Sequence, residues 1–180
     1  MTAAENAGAF LRAKGFHAIG LAAAVIHGVG GRWVAVFALA AGLIGQTILD
    51  VRRRTEERPG PSSAWWGFLG CLGAAGFFPS VDIARTAYLC LALADPAGEW
   101  VGRRLGHLRF GEKSAEGTLA VFLTAWTVAT LCLSTPPGRP DALVGALAVA
   151  VVEAFPARWD DNLTVPLAAG AALTAFRFWA

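Results

Sequence analysis

The strongest constraint in this sequence is the alternation of long apolar blocks with short charged spacers. Hydrophobic residues make up 56% of the 180 residues and charged residues only 16%, whereas a soluble domain usually carries about 25% charged residues. Apolar residues gathered into blocks are typical of a polytopic helical membrane protein. The pattern predicts an all-α fold with one transmembrane domain over residues 1–180, and it excludes disordered, collagen-like and disulfide-stapled secreted chains.

Seven apolar segments are bounded by charged residues or by Pro and Gly clusters, and we predict a membrane helix at each. Their approximate ranges are 16–31, 33–49, 64–79, 81–102, 116–134, 141–155 and 163–179. Several are shorter than the roughly 20 residues of a full span, which favours tilted or partly inserted helices. An odd number of spans places the two termini on opposite sides of the membrane.

The positive charges are distributed unevenly between the two sides that these spans define. Most of the 15 Lys and Arg residues lie in the amino-terminal tail and in the loops after the second, fourth and sixth segments. Under the positive-inside rule, the amino terminus and these loops are cytoplasmic and the carboxyl terminus is outside. In a prokaryote, the expected location is the inner membrane.

Acidic residues cluster at the cytoplasmic ends of the last four segments. Carboxylates are costly in hydrocarbon and are often functional at such positions. If Asp95, Glu116, Glu153 and Asp161 converge, they form an oxygen-rich site of the kind that Mg²⁺ prefers, completed by phosphate oxygens. The alternative is that they are ordinary solvated loop charges.

An anion site is predicted at the start of the fifth segment. Ser114 is placed to cap this helix, and Lys113 precedes it, so free N–H groups, a hydroxyl and an ammonium group lie together. The stretch is not a P-loop, because Glu112 separates the glycine from the Lys-Ser pair. Nearby, Arg103 and Arg104 are suited either to phosphate contacts or to anchoring on anionic lipid headgroups.

Glycines recur every third residue in the third segment, at Gly67, Gly70, Gly73 and Gly76. Such spacing allows helix backbones to approach closely. We interpret the stripe as a helix-packing face, and it would also suit a contact between copies of the chain in a homo-oligomer.

Four motifs in order resemble those of the CTP-dependent lipid kinases, the family of dolichol kinase, phytol kinase and the CTP-dependent diacylglycerol kinase. The motifs are Asp95-Pro-Ala-Gly-Glu-Trp-Val-Gly102-Arg-Arg-Leu-Gly106, Lys113-Ser-Ala-Glu116-Gly117-Thr118, Val152-Glu153-Ala-Phe-Pro156 and Asp160-Asp-Asn-Leu-Thr-Val-Pro166. The resemblance covers about residues 95–166 and places the catalytic half of the domain at about 81–170. An amino-terminal stretch, Lys14-Gly-Phe-His17, is similar to a stretch near the family's first span.

The resemblance implies a kinase that transfers the γ-phosphate of CTP to the hydroxyl of a membrane lipid alcohol. An isoprenoid alcohol such as phytol, farnesol or a polyprenol is the favoured acceptor, Mg²⁺ the cofactor, and no nucleic acid is expected as a partner. The choice of CTP over ATP comes from the resemblance alone.

The resemblance and the chemistry of phosphoryl transfer together assign roles to the matched residues. The expected metal ligands are Asp95, Glu116, Asp160 and Asp161. The expected nucleotide-binding residues are Lys113, Ser114, Gly117, Arg103, Arg104 and Asn162. Glu153 or Asp161 is the candidate general base, and Lys14 and His17 are candidates for orienting the acceptor.

Three other functions fit parts of the pattern. The acceptor could be diacylglycerol, or the enzyme could be a phosphatidate cytidylyltransferase, which joins CMP to a lipid phosphate. A small transporter is an alternative of another class, but transport needs polar groups near the midplane or on both faces, whereas these carboxylates gather at one face.

Overall fold

The chain folds as an assembly of helices, which confirms the predicted all-α class. The computed structural model describes residues 17–52, 60–78, 80–133, 140–155 and 159–179. Within these ranges the helices are α1 (Ala18–Arg52), α2 (Ser63–Phe77), α3 (Val81–Leu89), α4 (Asp95–Leu105), α5 (Ala115–Cys132), α6 (Asp141–Ala154) and α7 (Asp161–Trp179). A π-helical turn, Cys90–Ala94, joins α3 to α4, and the short antiparallel strands β1 (Arg109–Phe110) and β2 (Lys113–Ser114) join α4 to α5.

Helix α1 is interrupted where two apolar segments were predicted to meet. Gly31 has a φ of 77°, in the left-handed region that glycine adopts without steric cost. The next residue, Arg32, donates hydrogen bonds to the carbonyl oxygens of Ala75, Gly76 and Phe78 at 2.8–3.0 Å. The arginine thus satisfies carbonyls that the end of α2 leaves free. With this break, each of the seven predicted segments falls on a helical segment.

The core is built mainly from small side chains. Alanines such as Ala74, Ala87 and Ala125 are fully buried, and Tyr88 is the bulkiest side chain that is fully buried in the described part of the chain. On α2, a Cβ added at Gly73 would lie 3.0 Å from Leu167 of α7, so part of the predicted glycine stripe is used for packing inside the chain. Small residues allow such short helix-to-helix distances.

Two helices of the described residues, Ala18–Arg52 and Ala115–Cys132, are long and apolar enough to cross a membrane. Their most apolar windows are only 11% and 28% buried, so neither has the mostly buried surroundings of a core helix in a soluble protein. Large apolar side chains on them are well exposed: Val29 is 87%, Phe37 71% and Leu131 78% exposed. Apolar surface on this scale is typical of contact with lipid or with another protein.

The π-helical turn leads into the helix that carries the first sequence motif. It lies immediately before Asp95, whose side chain is buried. Single π turns inserted between α-helical stretches are frequent at functional sites. The hairpin after α4 reverses at Gly111, where φ is 67°, and returns the chain to Ser114 at the start of α5.

Candidate functional site

A polar pocket of about 230 Å³ lies where α4, the hairpin, α5, α6 and α7 meet. It is lined by residues from all four sequence motifs, which are Asp95, Gly98, Glu99, Gly102, Arg103, Arg109, Glu112, Lys113, Ser114, Gly117, Thr118, Glu153 and Asp161. Seven residues predicted for the site are therefore brought together: Asp95, Arg103, Lys113, Ser114, Gly117, Glu153 and Asp161. Arg104, Glu116, Asp160 and Asn162 do not line the pocket, and Lys14 lies outside the described residues.

Close contact between two helix backbones forms the floor of this polar pocket. A Cβ added at Gly117 of α5 would lie 2.9 Å from the carbonyl oxygen of Gly98 and 3.2 Å from the Cα of Gly102, both on α4. Any larger residue at Gly117 would push the helices apart. The glycines of the first two motifs therefore set the distance between the acidic residues of α4 and the Lys113–Ser114 segment.

Ser114 caps α5, as the sequence predicted. Its hydroxyl oxygen accepts the N–H of Gly117 at 3.1 Å, and the residue is only 3% exposed. A serine in this position satisfies one of the free N–H groups of the first helical turn. The positive end of the helix dipole therefore faces the pocket beside Lys113.

Asp95 contacts a histidine that lies far from it in the sequence, near the amino terminus. His17 Nε2 lies 3.3 Å from Asp95 Oδ2, and both side chains are 5% exposed. The other ring nitrogen, Nδ1, is 2.9 Å from the carbonyl oxygen of Leu91. A carbonyl oxygen only accepts, so Nδ1 donates to it, and this leaves Nε2 facing the carboxyl group of Asp95. His17 was predicted to orient the acceptor, and in the structure its ring lies against Asp95.

Lys113 and Glu153 form an ion pair across the pocket, between Nζ and Oε1. The lysine side chain is 26% exposed and that of the glutamate 5%. The second carboxylate oxygen, Glu153 Oε2, is buried and has no hydrogen-bond partner among the described residues. A buried oxygen without a partner is costly unless an occupant completes it, so this atom points to a ligand in the pocket.

Glu116 has a different environment from the one expected of a metal ligand. Its Oε1 accepts the backbone N–H groups of His107 at 3.0 Å and of Leu108 at 3.2 Å. The carboxylate therefore links the start of α5 to the loop after α4, and in this way it positions the hairpin.

The start of α7 separates the three polar residues of the last motif. Asp161 lines the pocket, whereas Asp160 Oδ1 accepts the backbone N–H of Asn162 at 3.0 Å and also bonds its side-chain amide. Burial raises the pKa of Asp160 above its ordinary value. Asn162 is 3% exposed, and its Oδ1 has no hydrogen-bond partner in the described part of the chain.

The two adjacent arginines of α4 also have different environments. Arg103 lines the pocket and pairs with Glu99 one turn earlier. Arg104 instead stacks over the ring of Trp100, with its guanidinium carbon 4.6 Å from the ring centroid. Successive residues of a helix project about 100° apart, so only one of the two faces the pocket.

No group of three or more His, Cys, Asp or Glu side chains within the described ranges is arranged to hold a metal ion by itself. Mg²⁺ is usually bound by one or two carboxylates together with substrate phosphates and water. Asp95 and Asp161, which line the same pocket, fit that second kind of site, in which phosphate oxygens and water would supply the remaining ligands.

The chain matches no family model, no curated protein and no solved structure in comparisons with known proteins. The functional assignment consequently depends on the geometry of the pocket and on the order of the four motifs.

Proposed function

We propose that this protein is a membrane-embedded kinase that transfers the γ-phosphate of CTP to the hydroxyl of a lipid alcohol, with an isoprenoid alcohol favoured. The observation that carries the proposal is that Asp95, Lys113, Glu153 and Asp161 line one polar pocket together. These residues come from four motifs spread over much of the chain. A pocket with both carboxylates and cations matches the demands of phosphoryl transfer, which depends mainly on positioning and on electrostatic stabilisation.

The cationic side of the pocket suits the triphosphate. Lys113, Arg103 and the capped start of α5 provide an ammonium group, a guanidinium group and helix N–H groups. Phosphate oxygens accept from all three kinds of donor. On nucleotide binding, Lys113 would exchange its ion pair with Glu153 for a phosphate oxygen.

The acidic side suits the metal ion and the acceptor. Asp95 and Asp161 would hold Mg²⁺, which when bound neutralises charge on the phosphates. One oxygen of Glu153 would be released by Lys113, and the other has no hydrogen-bond partner in the part of the chain that the structure describes, so Glu153 would take the proton of the acceptor hydroxyl. The acceptor oxygen then bonds to the γ-phosphorus as the bond from that phosphorus to the β–γ bridging oxygen breaks, and CDP leaves.

Membrane insertion is the second part of the proposal. The two long apolar helices and the exposed apolar side chains on them support an integral membrane protein. We extend this to all seven helical segments, with the amino terminus and the polar pocket at the cytoplasmic face, because the Lys and Arg residues concentrate there and a nucleotide reaches the protein only from water.

Labelled nucleotides test the function. Purified protein in lipid nanodiscs is incubated with Mg²⁺, a panel of lipid alcohols and either CTP or ATP labelled at the γ-phosphate. We expect label on at least one alcohol, and a loss of about 100-fold or more in kcat/KM for Asp95→Asn. Asp82→Asn, at the opposite end of the same helical run, is the matched control and should retain activity.

The same assay separates the alternatives. Label from the cytidine ring on the lipid, with release of pyrophosphate, would identify a cytidylyltransferase and refute the kinase. Absence of transfer from either nucleotide to any alcohol would also refute it. Equal activity of Asp95→Asn and Asp82→Asn would remove Asp95 from the site.

A further inference from the structure

A second, apolar cavity lies directly beside the polar pocket. This apolar groove, of about 560 Å³, runs between α5 and α6 and is lined chiefly by Phe110, Leu119, Phe122, Leu147, Val151 and Phe155. Leu119, Leu147 and Val151 are each about half exposed, at 55%, 49% and 55%. The groove is thus open along the outer surface of the helix pair, where a membrane protein meets lipid chains.

Thr118 joins the apolar groove to the polar pocket, since it lines both. Its hydroxyl oxygen is buried and has no hydrogen-bond partner among the described residues. On α6, the groove residue Ala154 directly follows Glu153 of the pocket. Thr118, at one end of the groove, and Glu153 thus line the same polar pocket, and each has a buried oxygen that finds no hydrogen-bond partner within the described residues.

We propose that the apolar groove binds the hydrocarbon chain of the acceptor alcohol and that Thr118 positions the acceptor oxygen. This inference rests on the proposed kinase function and adds the acceptor site to it. The acceptor hydroxyl donates to Glu153 Oε2 and accepts from the Thr118 hydroxyl, so one small polar headgroup satisfies both buried atoms. Its proton passes to Glu153 as the new O–P bond forms.

The chemistry of the lining favours an alcohol with one chain. Among the residues that line the groove, Thr118 alone has a polar side chain. A diacylglycerol brings two chains and two ester groups, and burying ester oxygens without donors is unfavourable. A linear isoprenoid alcohol has one hydroxyl and an apolar chain, which matches one polar end and an apolar wall.

The groove is tested by filling it. Leu147→Trp places a large ring in the groove, whereas Leu131→Trp makes the same change on an exposed surface of α5 outside the groove lining. We expect Leu147→Trp to raise the KM for a long-chain isoprenoid alcohol about tenfold or more and to leave the KM for CTP unchanged. Leu131→Trp should change neither value. Equal acceptor KM values for the two variants would overturn the assignment of the groove.

The Thr118 hydroxyl is tested by removal and restoration. Thr118→Val keeps the shape of the side chain, and we expect it to raise the acceptor KM by about three- to tenfold, while Thr118→Ser restores the original value. Unchanged kinetics of Thr118→Val, or failure of Ser to restore them, would overturn the positioning role.

A binding measurement that needs no turnover accompanies these variants. An isoprenoid alcohol that carries a photoreactive diazirine on its chain should label peptides of α5 and α6, and Leu147→Trp should reduce that labelling. Labelling confined to other helices would overturn the groove. Active enzyme that prefers diacylglycerol would overturn the single-chain acceptor alone, whereas no activity with any alcohol would refute the proposed function and this inference with it.

Discussion

The contact between His17 and Asp95 yields a prediction about stability that is independent of the enzymatic assignment. Both side chains are 5% exposed, and the ring is fixed at its two nitrogens by Asp95 and by the carbonyl of Leu91. Replacing His17 with Ala would leave a buried carboxyl group without this partner and would also remove a donor from a buried carbonyl.

The magnitude follows from that burial. Removing one partner of a buried polar pair typically costs about 1–3 kcal/mol, whereas exposed substitutions stay within about 0.5 kcal/mol. His107 is an exposed histidine that contributes its backbone N–H, and not its ring, to the bond with Glu116. His107→Ala is therefore the matched control, and we expect His17→Ala to be less stable than it by about 1–3 kcal/mol.

The assay is reversible unfolding in mixed detergent micelles, followed by the fluorescence of the protein's tryptophans. A double-mutant cycle with Asp95→Asn isolates the pair, because an amide in place of the buried carboxyl group needs no charged partner. We expect the double variant to be more stable than the sum of the single effects implies, by about 1–3 kcal/mol.

Two results would refute the reasoning. His17→Ala could unfold at the same denaturant concentration as His107→Ala, which would show that the pair contributes nothing to stability. Strict additivity in the cycle would show that the two side chains do not interact, and Asp95 would then have to be held by other groups.

Two further predictions concern the floor and the rim of the polar pocket. Gly117→Ala should destabilise the protein by about 1–3 kcal/mol by overpacking α5 against α4, whereas Gly76→Ala, where an added Cβ meets nothing within 4 Å, should be neutral or stabilising by up to about 1 kcal/mol; equal unfolding midpoints would contradict the close contact. Arg103→Met should raise the KM for CTP by several-fold, whereas Arg104→Met should not, because only Arg103 lines the pocket. A larger effect of Arg104→Met in steady-state kinetics would contradict this orientation of α4.

Much of the helical framework is predictable from the sequence, because apolar blocks and their breakers act locally. The break at Gly31 falls between two predicted segments, and Ser114 caps α5 as its position before a helix indicates. That all seven segments cross the membrane remains a prediction, since two helices in the described ranges meet the length and hydropathy of a span.

The sequence predicted which residues form the candidate site better than it predicted where their side chains point. Seven of the residues predicted for the site line the pocket. The direction of Glu116 depends on the hairpin between α4 and α5, and that of Arg104 on the rotation of α4. The role of His17 depends on a contact with Asp95, far along the chain. Local patterns carry no information on which distant side chains meet, so these features became visible only in the fold.

The π-helical turn between α3 and α4 determines which residues of α4 face α5 and the polar pocket. A π turn accommodates about one residue more than an α turn, and one residue corresponds to about 100° of rotation. In a continuous α-helix from Val81 to Leu105, the residues after the turn would each be shifted by one position, and Ala97, in place of Gly98, would lie against the backbone of α5. The one additional residue in Cys90–Ala94 rotates α4 relative to α3. As a result, α3 packs in the core while Asp95 and Gly98 of α4 line the pocket.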